Sequence, residues 1–270
     1  MYNEAMKKKR LDVLMVERNL VESRNLAQRF IMAGEVWVNG SVAIKPSETY
    51  LDSVEIQLKQ APKFLSRGGE KLEAALTAFG LTNLDGLICV DVGASTGGFT
   101  DCMLQHGAVK VYALDVGYGQ LHWKLRNDPR VVVMEKTNIR EVDHLPEKAD
   151  LVTVDVSFIS LKMIFPTLKK LLKDESSDLV TLIKPQFEAG KEEAARGKGV
   201  IRDGQVHKAV LDDVLEAALQ DGLFARELIL SPIKGPKGNI EFLAHFRGER
   251  SQHNRAMLIP NVFKENHLDE

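Results

Sequence analysis

Cysteine is scarce in this chain, with two residues, Cys89 and Cys102, among 270. Neither their number nor their spacing builds a disulfide framework or a zinc site, so no metal is expected. Cys89 lies in the apolar run Leu87-Ile-Cys-Val-Asp91, where core packing is its expected fate. Long apolar runs are lacking as well. None approaches the ~18–20 residues that cross a bilayer. The N-terminus, with Lys7-Lys-Lys-Arg10, has no apolar core of a secretory signal. No membrane role is expected, and the cytoplasm is the expected compartment. Repeats and low-complexity tracts are missing too. Charge of one sign is not in excess: the formal net charge is −2, which excludes a wholly basic nucleic-acid binder.

What is present is a globular composition, 44% hydrophobic and 27% charged, at a length that suggests one small and one larger unit. The charge is unevenly spread. Residues 6–45 hold eight Lys or Arg against four Asp or Glu, the mark of an appended module with an anionic partner or of a solvated charged surface. Leu11, Leu14 and Met15 fall at helical spacing. A second helix follows, with Ser23 as N-cap, Leu26, Ala27, Phe30 and Ile31 as its apolar stripe, and Gly34 as its stop. Val36-Trp-Val38 and Val42-Ala-Ile44 flank Asn39-Gly40, a strong hairpin signal. These features, carried by Arg10-Leu-Asp12, Ser23-Arg24, Ala27, Ile31, Gly34, Val36 and Val38-Asn-Gly40, resemble the S4 RNA-binding domain, an α+β module, over about residues 9–56. The resemblance implies an RNA surface at Lys8, Lys9, Arg10, Arg24, Arg29 and Lys45. Such cations would hold the RNA backbone without reading its sequence.

Lys59 to Gly69, with Pro62 and Gly68-Gly69, reads as a linker. Beyond it, apolar strands alternate with helical stretches. The strands are expected at 87–92, 109–116, 131–136, 150–156, 179–184, 227–231 and 240–246; the helices lie near 97–106, 119–126, 161–173 and 206–221. That alternation means an α/β fold, a mostly parallel sheet of seven strands covered on both faces. The expected organisation is therefore 1–58 for the small domain, 59–69 for the linker, 70–248 for the larger domain and 249–270 for a loose tail.

At the first strand–helix turn of that sheet stands Val90-Asp-Val-Gly-Ala-Ser-Thr-Gly-Gly-Phe-Thr100, where α/β folds hold ligands. Dinucleotide sites place glycine at the second position of such a turn; here Ser95 stands there, so no pyrophosphate needs room. Asp115 follows Gly93 by 22 residues, where a carboxylate can accept from both hydroxyls of an unmodified ribose. S-adenosylmethionine has such a ribose and no phosphate, and NAD is the competing reading. The candidate cofactor residues are Asp91, Gly93, Ala94, Ser95, Thr96, Gly97, Gly98, Phe99, Asp115, Val116 and Asn138. Each polar one has a structural alternative: Asp115 as a helix N-cap, Asp91 as a buried carboxylate bonded to backbone N–H groups, Asn138 as a turn former.

Four charged residues complete the pattern. Asp155 and Lys184 close the fourth and fifth strands, Glu241 opens the last, and Lys71 follows Gly68-Gly69. Charge inside a sheet is costly, whereas strand ends face the ligand crevice. Ser66-Arg-Gly-Gly-Glu-Lys71, the segment Asp91 to Asp101, Asp155-Val-Ser-Phe-Ile-Ser160, Lys184-Pro-Gln-Phe-Glu188 and Gly197-Lys-Gly-Val-Ile-Arg-Asp203 resemble the TlyA (haemolysin A) family. That family belongs to the FtsJ-like ribose methyltransferases, with a Rossmann-like fold. The resemblance spans residues 9 to about 247. It implies an S-adenosylmethionine-dependent enzyme that methylates a ribose 2′-hydroxyl of ribosomal RNA, with ribosomal RNA or ribosomal subunits as partners. Its Lys-Asp-Lys-Glu tetrad falls on Lys71, Asp155, Lys184 and Glu241. Lys184 would take the hydroxyl proton or stabilise the developing alkoxide. A free lysine titrates near 10.4, so a base role needs that value lowered. The alternative for the four is a structural ion-pair cluster.

Base methylation fits less well, because Asp155-Val-Ser-Phe158 replaces the Asp/Asn-Pro-Pro-aromatic motif of amino-group methyltransferases, and neither cysteine is placed as a carbon-5 nucleophile. A noncatalytic ribosome-binding assembly factor and a membrane-active haemolysin are the competing functions. Loops 190–203 and 235–239, with Lys191, Arg196, Lys198, Lys234 and Lys237, are expected to border the substrate entrance.

Overall fold

Leu11, Leu14 and Met15 are fully buried on one face of α1 (Leu11–Glu17), as one apolar stripe on a helix requires. The computed structural model describes residues 8–58, 63–190, 193, 196–250 and 255–268. The chain divides into two units, Met1–Lys63 and Phe64–Glu270. In the first, Ser23 caps α2 (Arg24–Met32), its hydroxyl accepting from Leu26 N–H at 3.3 Å. β2 (Val36–Val38) and β3 (Ser41–Ala43) pair through Asn39-Gly40, both at positive φ, as the tight hairpin turn demands. Three short strands add to what the sequence signalled. β1 (Lys9–Arg10) pairs with β4 (Thr49–Tyr50), and β5 (Ile56–Leu58) joins the free side of β2.

The second unit carries one seven-stranded sheet: β6 (Ile88–Val92), β7 (Lys110–Leu114), β8 (Val131–Met134), β9 (Leu151–Val154), β10 (Asp178–Ile183), β11 (Phe224–Leu230) and β12 (Phe242–Arg247). Their order is β11-β12-β10-β9-β6-β7-β8, parallel except for β12, which runs antiparallel to both its neighbours. The mostly parallel α/β sheet expected from the apolar runs is thus present. One face is covered by α3 (Gly68–Ala78) and α4 (Gly98–Gln105), with Leu72, Leu76 and Met103 in the core. The other is covered by α6 (Phe165–Leu171) and α8 (Gly204–Gln220), through Phe165, Leu168, Leu211 and Leu215. The short α5 (Trp123–Arg126) and α7 (Pro185–Glu188) follow β7 and β10.

Two expectations are corrected. Gly68 and Gly69 are the first turn of α3 rather than linker, and Gly69 packs flat on the Phe64 ring, a fit that leaves no room for a side chain. The C-terminal segment is not a loose tail. It forms α9 (Leu258–Glu265), which buries Ile259, Val262 and Phe263 in the same core as α8. Lys7, Lys59 to Pro62 and Lys191, named above, lie outside the described residues.

Candidate active site

Charges placed just past apolar strands have one favourable destination, the crevice along the carboxyl edge of the sheet. Asp115, Asp155 and Lys184 each stand one residue beyond β7, β9 and β10. Glu241 stands one residue before β12, and because that strand is reversed, its start lies at the same edge. Gly93 follows β6 with φ +87°, and a Cβ there would come 2.4 Å from the Asp155 carbonyl oxygen. The turn after β6 is thereby pressed against the end of β9, which only glycine allows. A cleft of about 250 Å³ opens there, lined by Ser66, Lys71, Gly93 to Thr96, Gly98, Phe99, Asp155, Lys234 and Gly235.

The four charged residues form two ion pairs. Lys184 Nζ lies 2.6 Å from Asp155 Oδ1 and donates to Ser157 Oγ at 3.0 Å. Lys71 Nζ donates to Glu241 Oε2 at 2.6 Å, with the Glu241 side chain fully buried, and Gln186 Nε2 donates to the other oxygen at 3.3 Å. In each pair one partner lines the cleft, Asp155 in one and Lys71 in the other, and Arg67 and Lys234 line it with them.

Asp91 is completely buried. Its Oδ2 accepts from the Thr100 N–H at 2.8 Å and from the Thr100 hydroxyl at 2.6 Å. Its Oδ1 has no hydrogen-bond partner among the described residues. Burial pushes the carboxyl up to about 7, against the pull of the Thr100 hydroxyl and with help from the nearby Asp155 and Asp115 charges. Asp115 is not a helix N-cap: that place before α5 belongs to His122. The Asp115 carboxylate instead accepts from Ser95 N–H and Gly117 N–H, both at 2.7 Å, which joins the end of β7 to the glycine turn. Val116 beside it is exposed. Asn138 caps the 3₁₀ turn Ile139–Glu141, its Oδ1 accepting from Arg140 N–H and its Nδ2 donating to Glu141, so the turn-forming alternative describes it.

In the first unit the basic residues meet an acidic hub. Arg10 donates twice to Asp12, at 2.9 Å each, Arg24 donates at 3.1 Å and Gln28 at 2.8 Å. The Arg10 guanidinium, ahead of Gln28 and Arg24, holds this buried carboxyl far below the usual range. Lys9 pairs with Glu17 at 2.7 Å, and Lys8, Arg29 and Lys45 are exposed.

The model of the FtsJ-like methyltransferases matches residues 64–248, and that of the S4 domain matches residues 9–56. The chain belongs to the FtsJ-like methyltransferase family. A protein of Brachyspira hyodysenteriae named Hemolysin A is 45% identical over 88% of this chain and 99% of its own. The 16S/23S rRNA (cytidine-2′-O)-methyltransferase TlyA of Mycobacterium tuberculosis H37Rv is 41% identical over 92% of each. A solved Streptococcus thermophilus structure, described as a candidate hemolysin, is 45% identical over 97% of each chain, with a TM-score of 0.74. No helix among the described residues of this FtsJ-like methyltransferase is long and apolar enough to cross a membrane. No group of three or more His, Cys, Asp or Glu among them could hold a metal.

Sequence reasoning missed several residues on the loops at this edge of the methyltransferase sheet. Glu188, at the end of Lys184-Pro-Gln-Phe-Glu188, accepts from Ser160 Oγ at 2.5 Å and from Leu161 N–H at 2.8 Å, tying the loop after β9 to α7. Its place in a charged motif was the available signal. Phe158, with φ +64° and 90% exposure, rests its ring against Phe187. Asn239 accepts from Ile201 N–H and donates to the Gly199 carbonyl, which joins the two loops expected at the entrance. Lys234, which the sequence had placed at the entrance, lines the cleft itself.

Proposed function

We propose that this methyltransferase moves a methyl group from S-adenosylmethionine to a ribose 2′-hydroxyl of ribosomal RNA. The observation that carries the reading is the Lys184–Asp155 pair standing at the mouth of the glycine turn, with Lys71–Glu241 beside it. The cofactor would supply an activated methyl group on a sulfonium. The residues present fit it. The turn has no side chain at Gly93, Gly97 and Gly98, Asp115 keeps lone pairs beyond its two backbone bonds, and the unpaired Asp91 oxygen suits an ammonium group. Val116 and the Ala94 to Phe99 segment would contribute walls and backbone.

The protein's own part is positional and electrostatic. Ser157 takes one donor direction of Lys184 Nζ and the Asp155 carboxylate lies against it as its ion-pair partner, which leaves donor capacity for the ribose oxygen as negative charge develops on it. Lys71, braced by a buried carboxylate, would fix the sugar from the other wall, and holding the two reactants in line is itself a large share of the acceleration. The S4 domain would anchor the RNA through Lys8, Lys9, Arg10, Arg24, Arg29 and Lys45. The M. tuberculosis relative's name supports ribosomal RNA as the substrate and the 2′-oxygen as the acceptor.

The test is transfer from labelled S-adenosylmethionine to purified ribosomal subunits, comparing wild type with Lys184→Ala. Label should map to a ribose and fall by about 10²–10³-fold in the variant, with cofactor affinity kept. Cofactor binding without label in either subunit would sink the ribosomal assignment.

A further inference from the structure

The segment after β7 carries large aromatic side chains on its outside. Tyr118 is 72% exposed and Trp123 is 58% exposed. Both are accompanied by a cation: Lys136 Nζ stands 4.6 Å from the centre of the Tyr118 ring, and Lys124 Nζ 6.0 Å from that of Trp123. The His122 ring lies 5.9 Å from Trp123. Leu121 and Leu125, in contrast, are buried, so the helical turn has an apolar inner side and an aromatic outer one.

This outer side is held firmly. The Glu135 carboxylate accepts from Gly119 N–H at 2.8 Å and from Arg126 at 2.6 Å, and Lys136 N–H donates to the Gly117 carbonyl at 3.0 Å. His122 N–H donates to the carbonyl of Thr96, a residue lining the cleft, which sets the aromatic surface next to the cofactor turn. A hydrogen-bonded loop that exposes two rings, each with a lysine near it, suits a ligand that has both flat π-faces and negative charge. Unpaired RNA has both, since its bases stack on aromatic side chains and its phosphates attract lysine. A protein partner would ask for a more apolar face with less charge at its centre.

We propose that Tyr118 and Trp123, with Lys136 and Lys124, form a platform on which unpaired bases of the RNA substrate stack beside the cleft. The proposal rests on the RNA-methylation reading for its ligand and adds a contact surface outside both the S4 domain and the charged tetrad. Stacking of this kind tolerates any base, so the platform holds the strand and leaves the choice of nucleotide to the cleft.

The chain has two tryptophans, so Trp37→Phe leaves Trp123 as the sole reporter in the full-length protein. Protein-free ribosomal RNA should quench its emission and shield it from iodide. Tyr118→Ala/Trp123→Ala should weaken binding of the same RNA about tenfold or more, with S-adenosylmethionine affinity unchanged. Unaltered Trp123 emission on an RNA that binds, with unaltered RNA affinity in the double variant, would overturn the platform while wild-type methyl transfer upheld the RNA reading. Loss of cofactor affinity in the double variant would also overturn it, by assigning these rings to the cofactor site. Quenching by ribosomal proteins and not by RNA would overturn it in favour of protein docking. Absence of both RNA binding and methyl transfer in the wild type would remove the RNA reading and the platform with it.

Discussion

Lys71, on the first helix of the larger unit, donates at 2.6 Å to Glu241, at the head of the last strand. The Glu241 side chain has no solvent exposure and that of Lys71 has 11%, so each charge depends on the other. Glu241→Ala should therefore destabilise the protein by about 3–5 kcal/mol in urea unfolding, because it strands a buried cation. Lys71→Met/Glu241→Leu should recover most of that stability and still fail to transfer methyl groups. An active double variant would reduce the pair to a structural brace.

Asp91 supplies a pH signature. Its folded value of about 7 lies above the ordinary 3.8, so the folded protein holds a proton that the unfolded chain has lost between those limits. The contribution to stability is complete below the lower value and declines as pH rises through the upper one. Without cofactor, the wild type should lose stability across that window and Asp91→Asn should not. Cofactor affinity should change in the opposite sense, tightening as pH rises from about one unit below to one unit above neutrality, as a carboxylate forms to meet the ammonium group. Titration calorimetry across that range checks it; a flat profile would remove Asp91 from the site.

Phe263 tests the correction at the C-terminus. It is fully buried and stacks on Phe242, the first residue of β12. Phe263→Ala should cost about 3–5 kcal/mol, the value of a buried aromatic in a core. A loose tail would give a change near zero in the same thermal or urea unfolding experiment.

Asp12 fixes Arg10, Arg24 and Gln28 at once. Its depressed value means a contribution present above the ordinary 3.8 and lost as pH falls below it. Asp12→Asn should remove that acid-side loss and cost about 2 kcal/mol near neutrality, a figure set by its charged hydrogen bonds. Faster amide exchange confined to α1 and α2 is the expected readout, together with weaker binding of ribosomal RNA as the two arginines lose their fixed bearing.

The seven strands of the large sheet were readable because parallel strands covered on both faces must be nearly continuous runs of apolar residues, as in Leu151–Val154. The charged residues overshot by one position for the same reason. Asp155 and Lys184 were read as strand ends, and they stand just outside, where a charge can keep water or a partner. Partner choice was less legible. Asp155 orienting Lys184 could be argued from neighbouring strand ends, whereas Lys71 with Glu241 needed the reversed β12 to bring a strand's start to the carboxyl edge. β1, β4 and β5 hold two or three residues each, too few for a period to register. α9 did leave a trace, with Leu258, Ile259, Val262 and Phe263 at helical spacing, but the polar stretch before it concealed the pattern.

Among the described residues β11 has β12 as its only neighbour in the sheet, and β12 is inserted between β11 and β10 rather than added at an edge. During synthesis, a chain that has emerged only as far as β11 already owns the glycine turn, Asp155 and Lys184. It has no pairing partner for its newest strand and no anion for Lys71, whose mate lies 170 residues downstream. Until β12 is in place, then, neither β11 nor Lys71 has the partner it holds in the folded sheet.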